Sequence, residues 1–278
     1  MCGTVVCFAG LDAIAKYLNH HMDTLQVVWA RYIVAFAVAV AISNPITRPG
    51  LLVTKRPVLQ VVRSALLLAS TVLNFIALRY LQLDEVLAIL FSTPFIVAVL
   101  AGPMLGEWVG WRRWMAIAVG FVGILVVTRP GIGVMHFAML LSLLSAFTYS
   151  LYLISTRFLA GADSSDTTLF YSNLVGAAAM SLVVPLVWTT PTSATIVVLI
   201  VVMGSLGSIG HYLLILAHRL APASVLSPFN YTQLVWVIAL GFLVFGDVPN
   251  GWTLAGAAIV IASGLYLVHR ERLVKGER

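Results

Sequence analysis

The chain has 278 residues, of which 61% are hydrophobic and only 9% charged, against about 45–50% and about 25% in soluble domains. No soluble core could hide that much apolar surface, so composition excludes a soluble enzyme or binding domain and points to an integral membrane protein. The 16 Lys and Arg against 10 Asp and Glu give a net charge of +6, but these charges sit mainly in loops and the tail, where they report topology and not a nucleic-acid partner.

Long apolar runs separated by short polar breaks predict about ten spans, at 2–18, 25–42, 58–80, 84–105, 112–128, 134–156, 166–188, 194–217, 223–245 and 252–269. Each approaches the roughly 20 residues needed to cross the hydrocarbon. The runs are continuously apolar, whereas barrel strands would alternate, so the expected class is an all-α membrane protein. The first run, Met1–Ala15, has no preceding positive charge and no cleavage site leading into a polar domain; it is expected to be a retained span, not a signal peptide. Its Cys2 and Cys7 are five apart on one helix and cannot form a well-built disulfide.

Polar residues inside apolar spans are costly and normally face the bundle interior. Span one carries Asp12 and span two Arg31. Both lie equally far from the hairpin turn between His21 and Met22, which places them at matching depth, about 14 Å below the turn at roughly 1.5 Å per residue. An ion pair between them is therefore feasible, with Lys16 one turn from Asp12 and facing the same way. Span three adds Asn74, and span four Ser92, Thr93 and Pro94, the last predicting a kink. Tyr149 and Tyr152 lie in span six, and Ser208, His211 and Tyr212 in span eight. Span nine contributes Asn230, Tyr231 and Gln233, with Tyr231 and Trp236 too deep to be interface anchors. Each has a plainer reading: Ser and Thr can bond their own helix carbonyls, and a hydrogen-bonded His211 can serve packing alone. Asp12 and Arg31 could merely neutralise one another.

The two halves resemble each other. Residues 79–107 align without a gap on 219–247, pairing Arg79 with Arg219, Gly106 with Gly246, and Glu107 with Asp247. Ser92 and Thr93 then match Thr232 and Gln233, polar groups at corresponding depth. Glu107 and Asp247, at opposite faces, are expected to organise loops and helix ends. An offset of 141 maps Lys16 to Arg157, but Asp12 to Leu153 and Arg31 to Ser172, so the second half lacks the charged pair.

Basic residues orient the spans. Arg48, Lys55, Arg56, Arg112, Arg113, Arg157, Arg219, Arg270, Arg272, Lys275 and Arg278 fall on one side, against Lys16, Arg79 and Arg129 on the other. This puts both termini in the cytoplasm. With five spans per half, residues 1–131 and 132–278 are expected to form inverted repeats, a construction common in secondary transporters.

In order along the chain, Asp12–Leu18 (DAIAKYL), Trp29–Tyr32, Ala77–Leu81, Pro94, Leu105-Gly106-Glu107, Gly210-His211-Tyr212, Ala221–Ser224, Tyr231–Leu234 and Phe245-Gly246-Asp247 resemble the drug/metabolite transporter superfamily, in its EamA branch. Within that branch the chain is similar to carriers of S-adenosylmethionine and, less closely, of riboflavin. The resemblance implies ten helices in two inverted halves, alternating access around a central cavity, and residence in the cell inner membrane with lipid around it.

The expected substrate-binding set is Asp12, Arg31, Asn74, Ser92, Thr93, Tyr149, His211, Asn230, Tyr231 and Gln233. A cationic, adenine-bearing solute would use Asp12 with Tyr149, Tyr231 and Trp236; a flavin would use stacking rings with Asn74, Asn230 and Gln233; an amino acid or other carboxylate solute would use Arg31. Asp12 is also the expected site for coupling to protons. No catalytic residue, metal site or cofactor is expected: HExxH, G-x-S-x-G and a phosphate-binding Gly-rich loop are all missing from the sequence. That excludes an ATP-driven pump within this chain and leaves a small-molecule transporter, with a membrane scaffold or receptor-like protein as the distant alternative.

Overall fold

The computed structural model describes residues 1–43, 49–108, 110–128, 137–246, 251–252, 254–259, 261–263 and 266. Among them every regular element is helical: α1 (Cys2–Leu18), α2 (Thr24–Ser43), α3 (Pro57–Tyr80), α4 (Leu83–Leu90), α5 (Thr93–Leu105), α6 (Trp111–Thr128), α7 (Phe137–Leu159), α8 (Ser165–Val183), α9 (Ala194–Leu220), α10 (Ala223–Leu226) and α11 (Gln233–Leu240). Short 3₁₀ turns cover Pro49–Leu52, Val184–Leu186 and Ser227–Thr232, and a π turn closes α11 at Gly241–Phe245. Five of the spans, at α2, α3, α7, α8 with its 3₁₀ extension, and α9, are long and apolar enough to cross a membrane. The predicted tenth span and the basic tail lie largely outside the described residues, as do Arg48, Arg129 and Asp247.

The interior is largely apolar but also takes in polar side chains. Gln60, Arg63, Ser64, Ser142, Ser145 and Ser172 are fully buried, while Leu182, Leu186, Leu220 and Leu243 point outward at 75% exposure or more. Large apolar side chains on the outer surface, with polar groups held inside, are what a lipid environment stabilises.

Spans four and nine are not continuous helices. Pro94 cannot donate to the Leu90 carbonyl and its ring crowds that turn, so the helix stops at Leu90 and restarts at Thr93, with Pro94 in its first turn. In the other half Pro228 disfavours helix at the residue before it, and Ser227–Thr232 run as 3₁₀ until α11 begins at Gln233.

The restart points, Thr93 and Gln233, are the positions that the repeat alignment pairs. Other ends follow the same offsets. α1 and α7 finish at Leu18 and Leu159, α2 and α8 begin at Thr24 and Ser165, and α3 and α9 finish at Tyr80 and Leu220. Gly106 (φ 70°) and Gly246 (φ 72°) both terminate their helices in the left-handed conformation, where glycine avoids the Cβ penalty. Packing repeats too: α1 lies on α9 while its counterpart α7 lies on α3, and α2 lies on its own counterpart α8.

Among the described residues, those near Lys55, Glu107, Arg157 and Asp163 gather at one end. There the Arg157 guanidinium meets the Glu107 carboxylate at 2.7 Å and donates to the His218 carbonyl at 2.8 Å. Asp163 accepts from the Thr54 hydroxyl, from the Lys55 backbone at 3.0 Å and from Gln60 at 2.9 Å. Partial burial pushes the Asp163 carboxyl up, but these hydrogen bonds and the Lys55 charge outweigh it and hold it below the usual carboxylate range. Its stabilising contribution is thus complete above the ordinary Asp value and is lost as pH falls through the lowered one. At the other end Arg79 and Asp23 stand 4.0 Å apart, Gln26 binds the Thr189 backbone, and Asn19 donates to the Phe75 carbonyl.

Helices approach closely where glycine faces a side chain. A Cβ on Gly176 would collide with the ring of Tyr32, which is itself fully buried, whereas one on Gly161 would meet nothing within 4 Å. Gly176→Ala should therefore cost on the order of 1–3 kcal/mol by overpacking. Thermal unfolding in detergent should show a lower midpoint for Gly176→Ala and an unchanged one for Gly161→Ala.

Candidate functional site

The central cavity lies where α1, α2, α3, α7 and α9 meet the two interrupted helices. Its empty space, open mouth included, is about 680 Å3. Of the ten expected site residues, Asp12, Arg31, Asn74, Thr93, Tyr149, His211, Asn230 and Gln233 line it. Ser92 does not; its hydroxyl donates to the Ile89 carbonyl at 2.8 Å, the plainer role open to it. Tyr231 lies in the 3₁₀ turn, with its side chain outside the described residues. Among the other candidates, Tyr152, Ser208 and Tyr212 are not on the lining, and Trp236 is 46% exposed on the outer surface. The expectation that Trp236 offers an aromatic face to a ligand is therefore corrected: its side chain lies on the outer surface and off the cavity lining.

The feasible Asp12–Arg31 ion pair does not form. Both side chains reach the same cavity, as their matching depth requires, but each is held by neutral groups. The Asp12 carboxylate accepts from the Asn74 amide at 3.2 Å and from the Gln233 amide at 3.3 Å. Arg31 donates to the Thr71 hydroxyl at 3.3 Å and to His211 Nε2 at 2.9 Å, and its guanidinium carbon lies 4.6 Å from the Tyr32 ring centre. Equal depth fixes height along the helices, while rotation about each axis decides which neighbour is met. Lys16 also departs from the expectation: it sits over the Phe245 ring at 5.1 Å, away from the cavity lining.

Arg31 begins a chain of buried hydrogen bonds. A guanidinium can only donate, so His211 Nε2 must accept. The neutral ring then carries its proton on Nδ1 and donates it to the Tyr152 oxygen at 3.0 Å. That oxygen also accepts from Arg63 Nη2 at 3.0 Å. Arg63, fully buried, donates further to Thr156 at 2.8 Å, to Ser172 at 2.7 Å and to the Thr168 carbonyl at 3.2 Å. Its guanidinium carbon stands 4.6 Å from the Tyr152 ring centre. Among the described residues no carboxylate lies in ion-pair contact with Arg31 or Arg63.

Arg63 is the residue that sequence reasoning passed over. Its signal was present, as a lone Arg inside an apolar span. Thr71, Ser70, Ser145 and the rings of Phe8, Phe75 and Phe91 also line the cavity and gave no sequence signal beyond small size or apolarity. Among the described residues no three His, Cys, Asp or Glu side chains converge on a common point as metal ligands would.

Arg63→Lys should weaken the protein, because an ammonium cannot replace the planar fork that reaches four partners at once. Groups left unpaired in the interior cost about 1–3 kcal/mol each. A lower thermal midpoint in detergent, with correct membrane insertion, is the expected result; an unchanged midpoint would show that the fork contributes nothing to stability.

Comparison with known proteins fits this geometry. The EamA-like transporter family model matches twice, over residues 1–129 and 136–269. An S-adenosylmethionine uptake transporter of Rickettsia conorii is 27% identical over 271 residues, covering 97% of this chain and 91% of that one. A riboflavin transporter of Vibrio cholerae is 26% identical over 269 residues, covering 96% and 90%. One solved crystal structure superposes with a TM-score of 0.76 at 16% identity, over 98% of both chains, which establishes a shared fold. The chain belongs to the EamA-like transporter family.

Proposed function

We propose that this family member is a secondary transporter that carries a small, polar organic metabolite by alternating access, and that the metabolite resembles S-adenosylmethionine. The observation that carries this reading is a cavity lined by polar groups from both halves, at the two points where the helices are interrupted. Interrupted helices near mid-depth, at matched positions of two repeats, are where secondary transporters hold substrate. A scaffold or receptor-like protein would be stabilised by a dry, packed interior instead. An enzymatic role has no support in the relatives, which are named as transporters.

In this reading residues 1–131 and 132–278 form two inverted five-helix repeats of a ten-helix bundle. The protein lies in the cell inner membrane with both termini cytoplasmic, and the end that carries Glu107, Arg157 and Asp163 faces the cytoplasm. The repeated helix ends and the exchange of packing between halves support it. Alternating access then amounts to rocking one set of helices against the other around the fixed cavity.

A cationic adenosyl compound suits the lining better than a flavin. Asp12 offers a carboxylate already desolvated and aimed by two amides, and Phe8, Phe75, Phe91 and Tyr149 offer rings for a planar base or a cation. An uncharged flavin would leave both Asp12 and Arg31 without a charged partner. Asp12 is also the group to carry a coupling proton, since it is the acid that a bound cation would displace a proton from.

Gln233→Leu removes one of the two amides that hold Asp12, and Asn230→Leu removes a polar group from the lining. Both should abolish uptake into proteoliposomes while leaving the protein folded and inserted. Unaltered rate and affinity in both would rule out this placement of the substrate.

Topology is checked separately. A cysteine introduced at Arg112 should react with an impermeant maleimide only after the membrane is permeabilised, and one at Asp23 should react without it. The reverse pattern would overturn the orientation.

A further inference from the structure

We infer that the cavity takes a zwitterionic α-amino-acid headgroup, with Arg31 receiving its carboxylate and Asp12 its ammonium. This rests on the cavity being the substrate site and names the chemical class that the site selects.

Both charges line one cavity and neither neutralises the other by contact. A ligand that is only a cation would meet Asp12 but also the field of Arg31; one that is only an anion would meet the converse. A ligand with both charges, in the right order and spacing, answers both.

The spacing is set by α3. Thr71 holds the Arg31 guanidinium and Asn74 holds the Asp12 carboxylate. These residues are i and i+3, on one face of the helix and about 4.5 Å apart along its axis. Anchors this near one another call for a ligand whose two charges are close together, as the ammonium and carboxylate of an α-amino acid are on their single carbon.

Bonding capacity points the same way. A carboxylate offers about four acceptor positions and a guanidinium five N–H donors. The protein uses two at Asp12 and two at Arg31. Beside Asp12, Asn74 turns its amide nitrogen to the carboxylate and leaves Oδ1 buried with no partner; Thr93 Oγ1, also on the lining, is likewise unpartnered. An ammonium brings three donors and can use Asp12 and the Asn74 oxygen together. Buried acceptors without a protein partner are destabilising by themselves, which is what a site shaped for donors is expected to tolerate.

The test is binding measured by calorimetry on the purified full-length protein in nanodiscs, with three probes. S-adenosylhomocysteine carries the zwitterionic headgroup without a sulfonium charge, its carboxamide lacks the anion, and its N-acetyl derivative lacks the cation. Each blocked charge should weaken binding to the wild-type protein about ten- to hundred-fold, the worth of a charge-assisted hydrogen bond. Arg31→Gln should erase the penalty for the carboxamide and keep that for the N-acetyl compound; Asp12→Asn should do the opposite. Wild-type binding of all three within about threefold, no binding of S-adenosylhomocysteine, or variants that weaken all three equally would overturn the assignment. The wild-type comparison needs no variant to fold. Flux is read apart from binding: headgroup discrimination without transport refutes the transport reading alone, and transport without discrimination refutes this assignment alone.

Discussion

Charge inside a membrane protein must be answered by the protein itself, because no bulk water is available to solvate it. Arg31, Arg63 and Asp12 impose that requirement on this fold, and much of the interior is arranged to meet it. Among the described residues none of the three is answered by contact with an opposite charge. Arg63 is satisfied by hydroxyls, a carbonyl and a phenol drawn from α7 and α8. Those partners couple α3 of the first half to two helices of the second, so the cost of burying the cation is offset only when the halves are assembled. Arg31 and Asp12 keep unused hydrogen-bonding capacity, and the proposed ligand site rests on that difference.

Close helix packing is what brings the partners into range. Gly204, Gly207 and Gly210 recur every third residue along α9. A Cβ on Gly204 would collide with Val34, one on Gly207 would stand 3.4 Å from Arg31 Nε, and one on Gly210 would stand 2.7 Å from Phe8. Small residues at membrane helix interfaces allow such approach, and here they press α1 and α2 against α9. With α2 seated so deeply, Arg31 reaches His211 on the neighbouring helix, and the histidine passes the interaction on to Tyr152 and Arg63. The glycine stripe and the hydrogen-bond chain are thus one device: widening the first would break the second.

Much of this was legible in the sequence, for a physical reason. Spans are set by hydrocarbon thickness and repeats by residue identity, so both leave one-dimensional traces. Depth is one-dimensional as well, which is why Asp12, Arg31, Asn74, Thr93 and Gln233 could be placed at the cavity from spacing alone. Azimuth is not. The rotation that sends Arg31 to Thr71 and His211, Trp236 to the outer surface and Lys16 over Phe245 depends on neighbours far away in the chain. The interruption at Pro94 was half legible: proline announces a kink, but the full break into α4 and α5 needs its counterpart at Ser227–Thr232 to be meaningful. Arg63 was legible and went unread, because its span is otherwise an ordinary apolar run.

The asymmetry between the repeats separates what folding requires from what it does not. Helix ends, glycine terminators and packing partners recur in both halves, as an architecture built on a repeat demands. The charges do not recur: Asp12, Arg31 and Arg63 correspond to Leu153, Ser172 and Met203. Leu153 and Met203 lie buried without difficulty, so an apolar residue suits these positions in the same scaffold. Even the partners diverge, for Thr71 and His211 are repeat counterparts that both bind Arg31. In the proposed alternating-access cycle, a near-symmetric shell would exchange the roles of its halves around an asymmetric, charged interior that keeps one fixed polarity. A solute with two unlike ends, bound as proposed, would then keep the same orientation whichever side the cavity faces, because Asp12 and Arg31 both belong to the first half.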